Sequence, residues 1–249
     1  MNIVVSELLT HYTRMGKGRF VLILPGWADT SVTWQQTQQM LSQHYDVAVL
    51  DLPGFGGTEM LAAAWGLEDY AAFVAAFLTK LGATPYAIIG HSNGGAIAIK
   101  GLSQKMFDCQ KLVLLASAGV RGQAAGRKQG LKLLAKTGKI LSAPLPSRVK
   151  KRLRHNLYQA AGSDMLVAEH MQETFKRVVG SDIQADAAKV ARPALLVYGG
   201  DDMDTPVAYG ELLHKVIAGS RLEVVDGAGH FIFKDKPDTV VRYLKEFIG

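Results

Sequence analysis

Short apolar runs alternate along the chain with longer segments whose apolar residues have helical spacing. The apolar runs, each short enough for a buried strand, are residues 20–24, 47–50, 86–89, 112–116, 194–198 and 222–225. The segments with helical spacing are residues 34–43, 67–81, 96–99, 207–217 and 237–248. Strands that alternate with helices predict an α/β fold with a mostly parallel, doubly wound sheet. Residues 3–9 alternate loosely, which predicts a single edge strand.

One long segment interrupts this alternation. Residues 118–190 contain many helix-forming residues and no strand pattern. We therefore predict a core formed by residues 1–117 and 191–249. Residues 118–190 are predicted to be a helical insert that follows the strand at residues 112–116.

Length and composition are those of a globular protein. The chain has 249 residues, of which 48% are hydrophobic and 20% charged, which is sufficient for one large α/β domain or for two small domains. No apolar run reaches the length of a membrane span, and the first residues lack the pattern of a signal peptide. Cys109 is the only cysteine, which excludes an intrachain disulfide and a thiolate metal cluster. We expect a cytoplasmic protein.

Positive charge is concentrated in the predicted insert. Residues 121–163 contain eleven basic and no acidic side chains, so the rest of the chain, with 17 basic and 22 acidic residues, carries −5 against a total of +6. Such a run usually faces water, and a solvated surface is one interpretation. The other is attraction to lipid headgroups, an acidic carrier protein or an anionic substrate. The segment has one aromatic residue, Tyr158, and no nucleic-acid-binding module, so we expect no nucleic-acid partner.

The strongest chemical signal is the pentapeptide Gly90-His91-Ser92-Asn93-Gly94, which has the pattern Gly-x-Ser-x-Gly. It follows an apolar run and precedes small and apolar residues, which is the strand–turn–helix setting of a nucleophile elbow. The same pentapeptide also arises by chance on surface turns, and this setting is what favours the elbow. In an elbow the serine hydroxyl projects clear of the sheet, and the two glycines avoid collisions with neighbouring backbone.

The predicted nucleophile needs a base, and His230 is the candidate. A serine hydroxyl is a weak nucleophile near neutral pH and requires a histidine oriented by a carboxylate. Catalytic groups of an open α/β sheet collect beyond the carboxyl ends of the strands. His230 lies on a glycine-rich loop after the run at residues 222–225, whereas His91 is predicted to support the turn. The remaining histidines are predicted to be structural or surface residues: His11, His44, His155, His170 and His214.

Three aspartates compete for the role of the carboxylate. Asp201, Asp202 and Asp204 all lie on the loop that follows the run at residues 194–198. Their spacing does not choose between them. The chain order of serine, aspartate and histidine is nevertheless the one associated with this elbow.

These motifs resemble those of the α/β-hydrolase fold family over essentially the whole chain, and those of its lidded serine hydrolases in particular. The family commonly places the acid three residues after the loop glycine and four before a proline, which implies Asp202, with Asp204 as second choice. Serine at the elbow argues against the haloalkane dehalogenase and epoxide hydrolase branches. The motifs that carry the resemblance are Leu24-Pro25-Gly26-Trp27, Asp51-Leu52-Pro53-Gly54-Phe55-Gly56, Gly90-His91-Ser92-Asn93-Gly94-Gly95, Tyr198-Gly199-Gly200-Asp201-Asp202-Met203-Asp204-Thr205-Pro206 and Gly229-His230-Phe231.

The resemblance also implies an oxyanion hole and a lid. The hole would pair the backbone N–H of Trp27 with that of Asn93, and the replacement of the family's frequent His-Gly by Pro25-Gly26 leaves the first donor available. Trp27 and Phe55 would line the acyl pocket, or alternatively fill the core. In families of this fold, an insert at the position of residues 118–190 forms a lid over the site.

The sequence therefore predicts a serine hydrolase whose triad is Ser92, Asp202 and His230. The predicted substrate is a small carboxylic ester, anionic or carrier-bound, with thioesters and lactones next. Carbon–carbon bond hydrolysis and a receptor-like protein with little turnover are the alternatives. No metal-ligand spacing and no complete dinucleotide fingerprint is found, so we expect neither a metal nor a cofactor. Contact between the basic insert and an anionic membrane surface is compatible with each alternative.

Overall fold

The computed structural model describes residues 1–121 and 171–249, so most of the predicted insert lies outside the described residues. The strands are β1 (Asn2–Val5), β2 (Leu8–Met15), β3 (Phe20–Leu24), β4 (Asp46–Leu50), β5 (Ala87–His91), β6 (Lys111–Leu115), β7 (Ala194–Gly199) and β8 (Arg221–Val225). The helices of the described ranges are α1 (Gln35–Leu41), α2 (Leu67–Leu81), α3 (Asn93–Ser103), α4 (Gln172–Val179), α5 (Gln184–Ala187), α6 (Val207–Val216), α7 (Ile232–Asp235) and α8 (Pro237–Ile248).

The eight strands form one sheet in the order β1-β2-β4-β3-β5-β6-β7-β8. β2 pairs antiparallel with both β1 and β4, and every pair from β4 to β8 is parallel. The predicted α/β fold with a mostly parallel, doubly wound sheet is therefore confirmed. β3 lies between β4 and β5, the two strands that follow it in the chain. The carboxyl ends of β3 and β5 thus meet where the strand order reverses, which is the usual place for a site in such a sheet.

Two apolar layers cover the two faces of the sheet. Alternate residues of β3 supply both layers, because Leu22 and Leu24 join one cluster whereas Val21 and Ile23 join the other. The first layer contains α2 to α6, and the second contains α1, α7 and α8. Cys109 is fully buried in the first layer. The buried strands thus carry continuous apolar runs, as parallel strands covered on both faces do.

The edge of the sheet differs from its prediction. Residues 3–9 do not form one strand, because β1 and β2 make a hairpin whose turn consists of Ser6 and Glu7. Both turn residues have positive φ, 47° and 67°, at positions where glycine or asparagine is usual. The turn therefore carries no glycine or proline signal in the sequence, and the prediction of a single strand is wrong.

No helix of the described residues is long and apolar enough to cross a membrane.

Candidate active site

Ser92 occupies the turn between β5 and α3. Its backbone has φ 49° and ψ −115°, a conformation that is strained for a residue with a side chain. The Ser92 N–H donates to the Leu115 carbonyl at 3.0 Å, and the Ala118 N–H donates to the Ser92 carbonyl at 3.0 Å. The carboxyl end of β6 therefore maintains the strained turn that carries the half-buried serine.

Two glycines make this turn sterically possible. A Cβ on Gly90 would lie 2.6 Å from the Cα of Gly95, and a Cβ on Gly94 would lie 2.0 Å from the carbonyl oxygen of Leu24. Both positions are closer to backbone than a side-chain carbon can approach. The steric role predicted for these glycines is therefore confirmed.

The loops after β7 and β8 bring Asp202 and His230 together. The Nδ1–H of His230 donates to Oδ2 of Asp202 at 2.8 Å. Oδ1 of Asp202 accepts hydrogen bonds from the backbone N–H groups of Asp204 at 2.8 Å and Thr205 at 2.9 Å. Asp201 and Asp204 are exposed, whereas Asp202 is buried. Of the three competing aspartates, Asp202 is thus the one whose carboxylate bonds to His230.

Thr205 is a third member of this cluster, and no sequence pattern singled it out as a site residue. Its hydroxyl lies 2.7 Å from Oδ2 of Asp202, 3.1 Å from Nδ1 of His230 and 3.0 Å from the carbonyl oxygen of Ala116. The hydroxyl has a single hydrogen, and the shorter distance indicates that Oδ2 of Asp202 accepts it. Thr205 therefore connects the aspartate, the histidine and the carboxyl end of β6.

The bonds to Asp202 lower its pKa. Burial alone would raise the pKa of this carboxyl, but the hydrogen bond and charge of His230, together with the two hydrogen bonds from Thr205, outweigh burial. The pKa of Asp202 consequently lies below the ordinary value of 3.8. Asp202 is therefore a carboxylate at neutral pH and accepts the Nδ1–H of His230, which leaves Nε2 as the basic nitrogen.

Close packing between the two loops sets the separation of Asp202 and His230. A Cβ on Gly199 would lie 2.3 Å from the Ala228 carbonyl oxygen and 2.4 Å from that of Gly229. The Asp201 N–H donates to the Ala228 carbonyl at 3.0 Å. The glycine at the end of β7 is thus required so that the acid loop can lie against the histidine loop.

His91 joins the elbow to the histidine loop. Its Nε2–H donates to the backbone carbonyl of His230 at 3.0 Å, and its ring centroid lies 4.8 Å from that of His230. His91 is fully buried, and burial followed by the neighbouring charge of His230 lowers its pKa to about 3. The neutral ring therefore presents an unprotonated Nδ1, which lies 3.8 Å from Oδ2 of Asp29. The predicted supporting role of His91 has a concrete form in this bond to the loop of His230.

The loop after β3 lies directly against the serine. The Asp29 N–H donates to the Gly26 carbonyl at 3.2 Å, which closes a turn around Trp27. A Cβ on Gly26 would lie 3.2 Å from the Cβ of Ser92. On the other side, Asn93 is the first residue of α3, so its N–H has no acceptor within the helix. The two predicted oxyanion donors thus belong to segments that flank Ser92, and their role stays a prediction.

An aromatic cluster packs beside this loop. The Trp27 ring contacts Phe55 at a centroid separation of 4.8 Å and Phe175 at 5.2 Å, both edge to face. Met171 lies beside Gly54, with its Cε 2.5 Å from where a glycine Cβ would be. Phe175 and Met171 were not predicted as contacts of this loop, because both belong to the insert and no motif indicates how the insert packs. Trp27 and Phe55 are buried together, and their role in an acyl pocket stays a prediction.

Several buried polar atoms of residues in the turn of Ser92 and in the adjoining loop after β3 lack hydrogen-bond partners among the described residues. They are Nε1 of Trp27, Oδ1 and Nδ2 of Asn93, and Nδ1 of His91. Trp27 is 8% exposed and Asn93 only 3%, so water at the protein surface does not reach these atoms. Unpaired buried polar groups are uncommon in proteins and call for a specific explanation.

The described end of the insert is bonded to the core. The side chain of Asp186 pairs with Lys100 and accepts a hydrogen bond from the Ser103 hydroxyl at 3.1 Å, which joins α5 to α3. The Trp65 N–H donates to the hydroxyl of Thr174 at 3.1 Å, which joins α4 to the segment before α2. Residues 171–190 are thus held against the elements that surround Ser92.

One group in the described ranges brings three potential metal ligands together. Ligand atoms of Asp202, Asp204 and His230 lie within 4.8 Å of one another. Both oxygens of Asp202 and Nδ1 of His230 already take part in the hydrogen bonds described above. The arrangement therefore fits a hydrogen-bond network rather than a metal site.

The other histidines have contacts elsewhere or lie outside the described residues. His11 bonds Asp51 at 2.9 Å, and His214 bonds the Ser220 hydroxyl at 2.8 Å. His44 is exposed. The predictions made for His155 and His170 lie outside the described residues, as does most of the basic segment.

Comparisons with known proteins agree with this architecture. A family model described as "Alpha/beta hydrolase family" matches residues 21–243. A pimeloyl-[acyl-carrier protein] methyl ester esterase of Neisseria meningitidis serogroup C is 28% identical, with 92% of this chain and 93% of the relative covered. An uncharacterized hydrolase of Bacillus subtilis is 23% identical, with coverages of 98% and 94%.

Solved structures show the same fold at low sequence identity. A bacterial membrane phospholipase A superposes with a TM-score of 0.78 at 21% identity, covering 100% of this chain and 84% of that protein. A meta-cleavage product hydrolase from Pseudomonas fluorescens superposes with a TM-score of 0.75 at 20% identity, with coverages of 99% and 96%. At these identities the likeness concerns the fold.

Proposed function

The chain belongs to the alpha/beta hydrolase family and is a hydrolase, and we propose that it cleaves a carboxylic ester through an acyl-enzyme on Ser92. The observation that carries this proposal is the 2.8 Å bond between Asp202 and His230, on loops that pack against the strained serine turn. These are the elements that an acyl transfer needs, namely a nucleophile, a base and a group that orients the base.

In the first half of the proposed reaction, the Ser92 oxygen attacks the ester carbonyl carbon while Nε2 of His230 accepts the hydroxyl proton. Asp202 stabilises the resulting imidazolium through Nδ1–H. The backbone N–H groups of Trp27 and Asn93 bind the oxyanion of the tetrahedral intermediate. The intermediate then expels the alcohol, which takes the proton from His230, and the acyl group remains on Ser92.

In the second half, water releases the acyl group. His230 accepts a proton from the water as its oxygen attacks the acyl carbon, and the same donors bind the second oxyanion. Collapse of this intermediate returns the proton to the Ser92 oxygen and frees the carboxylic acid. Thioesters and lactones would follow the same course, since both present a carbonyl carbon to the serine.

We also propose that residues 118–190 act as a lid over Ser92, on the core formed by residues 1–117 and 191–249. The support comes from the described part of the insert, where Phe175 contacts Trp27 and Met171 lies beside Gly54. The first contact joins an insert side chain to the loop that lies against Ser92, and the second joins one to the loop after β4. The substrate specificity of the enzyme would then depend in part on the insert.

We also propose that an acidic carrier protein presents the ester, and that its negative charge is attracted to the basic insert. The insert holds the positive excess of the chain, and the Neisseria relative is named for a methyl ester carried by an acyl-carrier protein. We expect that raising the ionic strength lowers kcat/KM for a carrier-bound ester more than for p-nitrophenyl butyrate, because salt screens attraction between exposed charges. Equal salt responses of the two substrates would contradict the proposed attraction to an acidic carrier. They would favour an insert whose charges simply face water.

The proposed function is tested by replacing the serine. Ser92→Ala should lower kcat for p-nitrophenyl acetate and butyrate about 10⁴-fold or more, because the acyl-enzyme no longer forms. It should also abolish labelling by a fluorophosphonate. Ser42→Ala, at the end of α1, is the matched control and should keep both activities. If wild type and Ser92→Ala both fail to hydrolyse esters of any acyl length and neither is labelled, the receptor-like alternative is favoured instead.

A further inference from the structure

Two side chains next to the proposed oxyanion donors carry buried polar atoms without partners among the described residues. The carboxamide of Asn93 has two N–H donors and one acceptor oxygen, and the indole of Trp27 has one N–H donor. Burying such groups unpaired destabilises a folded protein, so they are retained in a site only when something else is gained.

Helix geometry determines where the Asn93 side chain lies. Successive helical residues are rotated by about 100°, and the faces of Gly94 and Gly95 contact the Leu24 carbonyl and the Ser117 side chain. Asn93 therefore points away from the sheet. Because Cα–Cβ bonds tilt towards the helix N-terminus, its side chain also leans towards Ser92.

The helix face that carries Asn93 continues with apolar residues. Ala96 and Ile97, one turn further along α3, share its face and belong to the same buried cluster as Trp27 and Phe55. A few fixed polar groups in a mainly apolar and aromatic setting are typical of small-molecule sites, where the polar groups select the ligand. Trp27 and the residues that follow Asn93 on its helix face thus belong to one buried apolar cluster, and the unpaired polar atoms of the two residues lie in this setting.

We propose that the acyl group of the substrate carries an uncharged oxygen function, a ketone or a hydroxyl, near the scissile carbonyl, and that Asn93 and Trp27 bind it through their side chains. N–H donors fit a ketone oxygen, and the Asn93 Oδ1 adds an acceptor for a hydroxyl. An uncharged group is preferred because both donors are neutral, and a buried anion needs a cationic partner. This inference rests on the proposed ester hydrolysis and names the class of acyl group.

The test compares three ethyl esters of one chain length: ethyl butanoate, ethyl 3-oxobutanoate and ethyl 3-hydroxybutanoate. For each enzyme variant, kcat/KM is measured by titrating the released acid at constant pH. The ratio of each oxygenated ester to ethyl butanoate is then compared between variants. Differences in chemical reactivity between the esters cancel in this comparison, and so does damage to the oxyanion hole, which all three esters use.

Asn93→Leu keeps the approximate size of the side chain and removes its hydrogen-bonding groups. It should lower the ratio for at least one oxygenated ester about tenfold or more, and Trp27→Phe should lower it several-fold. Val32→Ala, on the same loop as Trp27 but 77% exposed, is the control and should leave the ratios as in wild type. If neither Asn93→Leu nor Trp27→Phe changes the ratios, the inference is wrong.

Thermal unfolding gives an independent readout. Asn93→Leu should raise Tm by about 2–4 °C, because an unpaired buried carboxamide is replaced by an apolar side chain. A lower Tm with unchanged ester ratios would show that Asn93 is a structural group bonded to an internal water, and would overturn the inference. Ester hydrolysis that depends on Ser92 but shows no effect of Asn93 on the ratios would contradict this inference alone. Hydrolysis independent of Ser92 would contradict the proposed function.

Discussion

Polar groups on the two sides of Ser92 are bonded very differently. On the histidine side, formed by Asp202, Thr205 and His230, both oxygens of the carboxylate accept hydrogen bonds and three segments of chain are joined. On the carbonyl side, formed by Trp27 and Asn93, no side-chain polar atom has a partner among residues 1–121 and 171–249. One side is internally complete, and on our proposal the substrate completes the other.

The difference separates two requirements of the proposed chemistry. Proton transfer needs a histidine held in one tautomer and orientation, which a saturated network of hydrogen bonds provides. Substrate recognition needs donors and acceptors that other protein groups do not occupy. The hydrogen bonds of the histidine side therefore stabilise the fold, whereas the unpaired groups of the carbonyl side destabilise it. Such a loss of stability is common at functional sites. Variants on the histidine side test this comparison.

The largest effect is expected for Asp202→Asn. An amide donates where the carboxylate accepts, so His230 would turn its protonated nitrogen towards the serine and could no longer accept the serine proton. We expect kcat for p-nitrophenyl butyrate to fall about 10⁴-fold, with a small change in KM. Steady-state kinetics on the purified variant measures this.

Asp204→Asn is the matched control, because Asp204 is exposed on the same loop. Its kcat should stay within about threefold of wild type, since a surface charge has little effect on a buried pair. A loss at residue 204 as large as that at residue 202 would mean that Asp204 is the acid of the triad. The complete network around Asp202 would then be structural.

A moderate effect is expected for His91→Phe. Phenylalanine keeps an aromatic ring beside Trp34 and Phe233 but removes the donor to the His230 carbonyl. The histidine loop would be held less well, so kcat should fall about tenfold with KM nearly unchanged. His91→Gln, which can place an N–H near the same carbonyl, should recover most of kcat. Equal losses in the two variants would indicate that ring packing alone matters.

The smallest effect is expected for Thr205→Val, which removes the bridging hydroxyl. We expect Tm to fall by about 2–6 °C at neutral pH, the consequence of losing about 1–2 kcal/mol of buried hydrogen bonding. The hydroxyl helps to lower the pKa of Asp202, so its contribution to stability is present above the unfolded pKa of about 3.9 and is lost as pH falls through the folded value.

The pH dependence of this difference gives the check. The Tm gap between wild type and Thr205→Val should be constant above about pH 5 and should narrow as the pH falls below about 4. Thermal scans between pH 3 and pH 8 measure the gap. A gap that widens in acid would contradict the assignment, because it would mean that Thr205 stabilises the protonated form of Asp202.

Local signals predicted the core well. The bounds predicted for β3, α2 and α8 agree with the structure. The spacing of apolar residues and the flanking glycine or proline determine where such elements begin and end. The bond between Asp202 and His230 also agrees with the pairing that the family motifs implied. Motifs can imply such a contact because the family's chemistry would fix both the residue types and their place beyond the strand ends. The catalytic roles of the two residues stay a prediction.

Features that depend on packing were not predictable. Thr205 is an ordinary threonine in the sequence, and its role arises because the ends of β6, β7 and β8 meet at its hydroxyl. Phe175 contacts Trp27 from a segment far away along the chain, with no spacing rule to indicate it. The unpaired atoms of Asn93 were not predictable either, because the sequence does not indicate whether an asparagine after Ser92 is buried or exposed.

The buried position of Cys109 has a practical consequence for labelling. Burial, and then the nearby Asp108, raises the pKa of this thiol to about 12, so thiol reagents should not modify it at neutral pH. Since it is the only cysteine of the chain, an introduced cysteine becomes the single labelling position. Val32 is 77% exposed, between Asp29 and Trp34. A fluorophore attached to Val32→Cys would report on the loop beside the serine as a substrate binds.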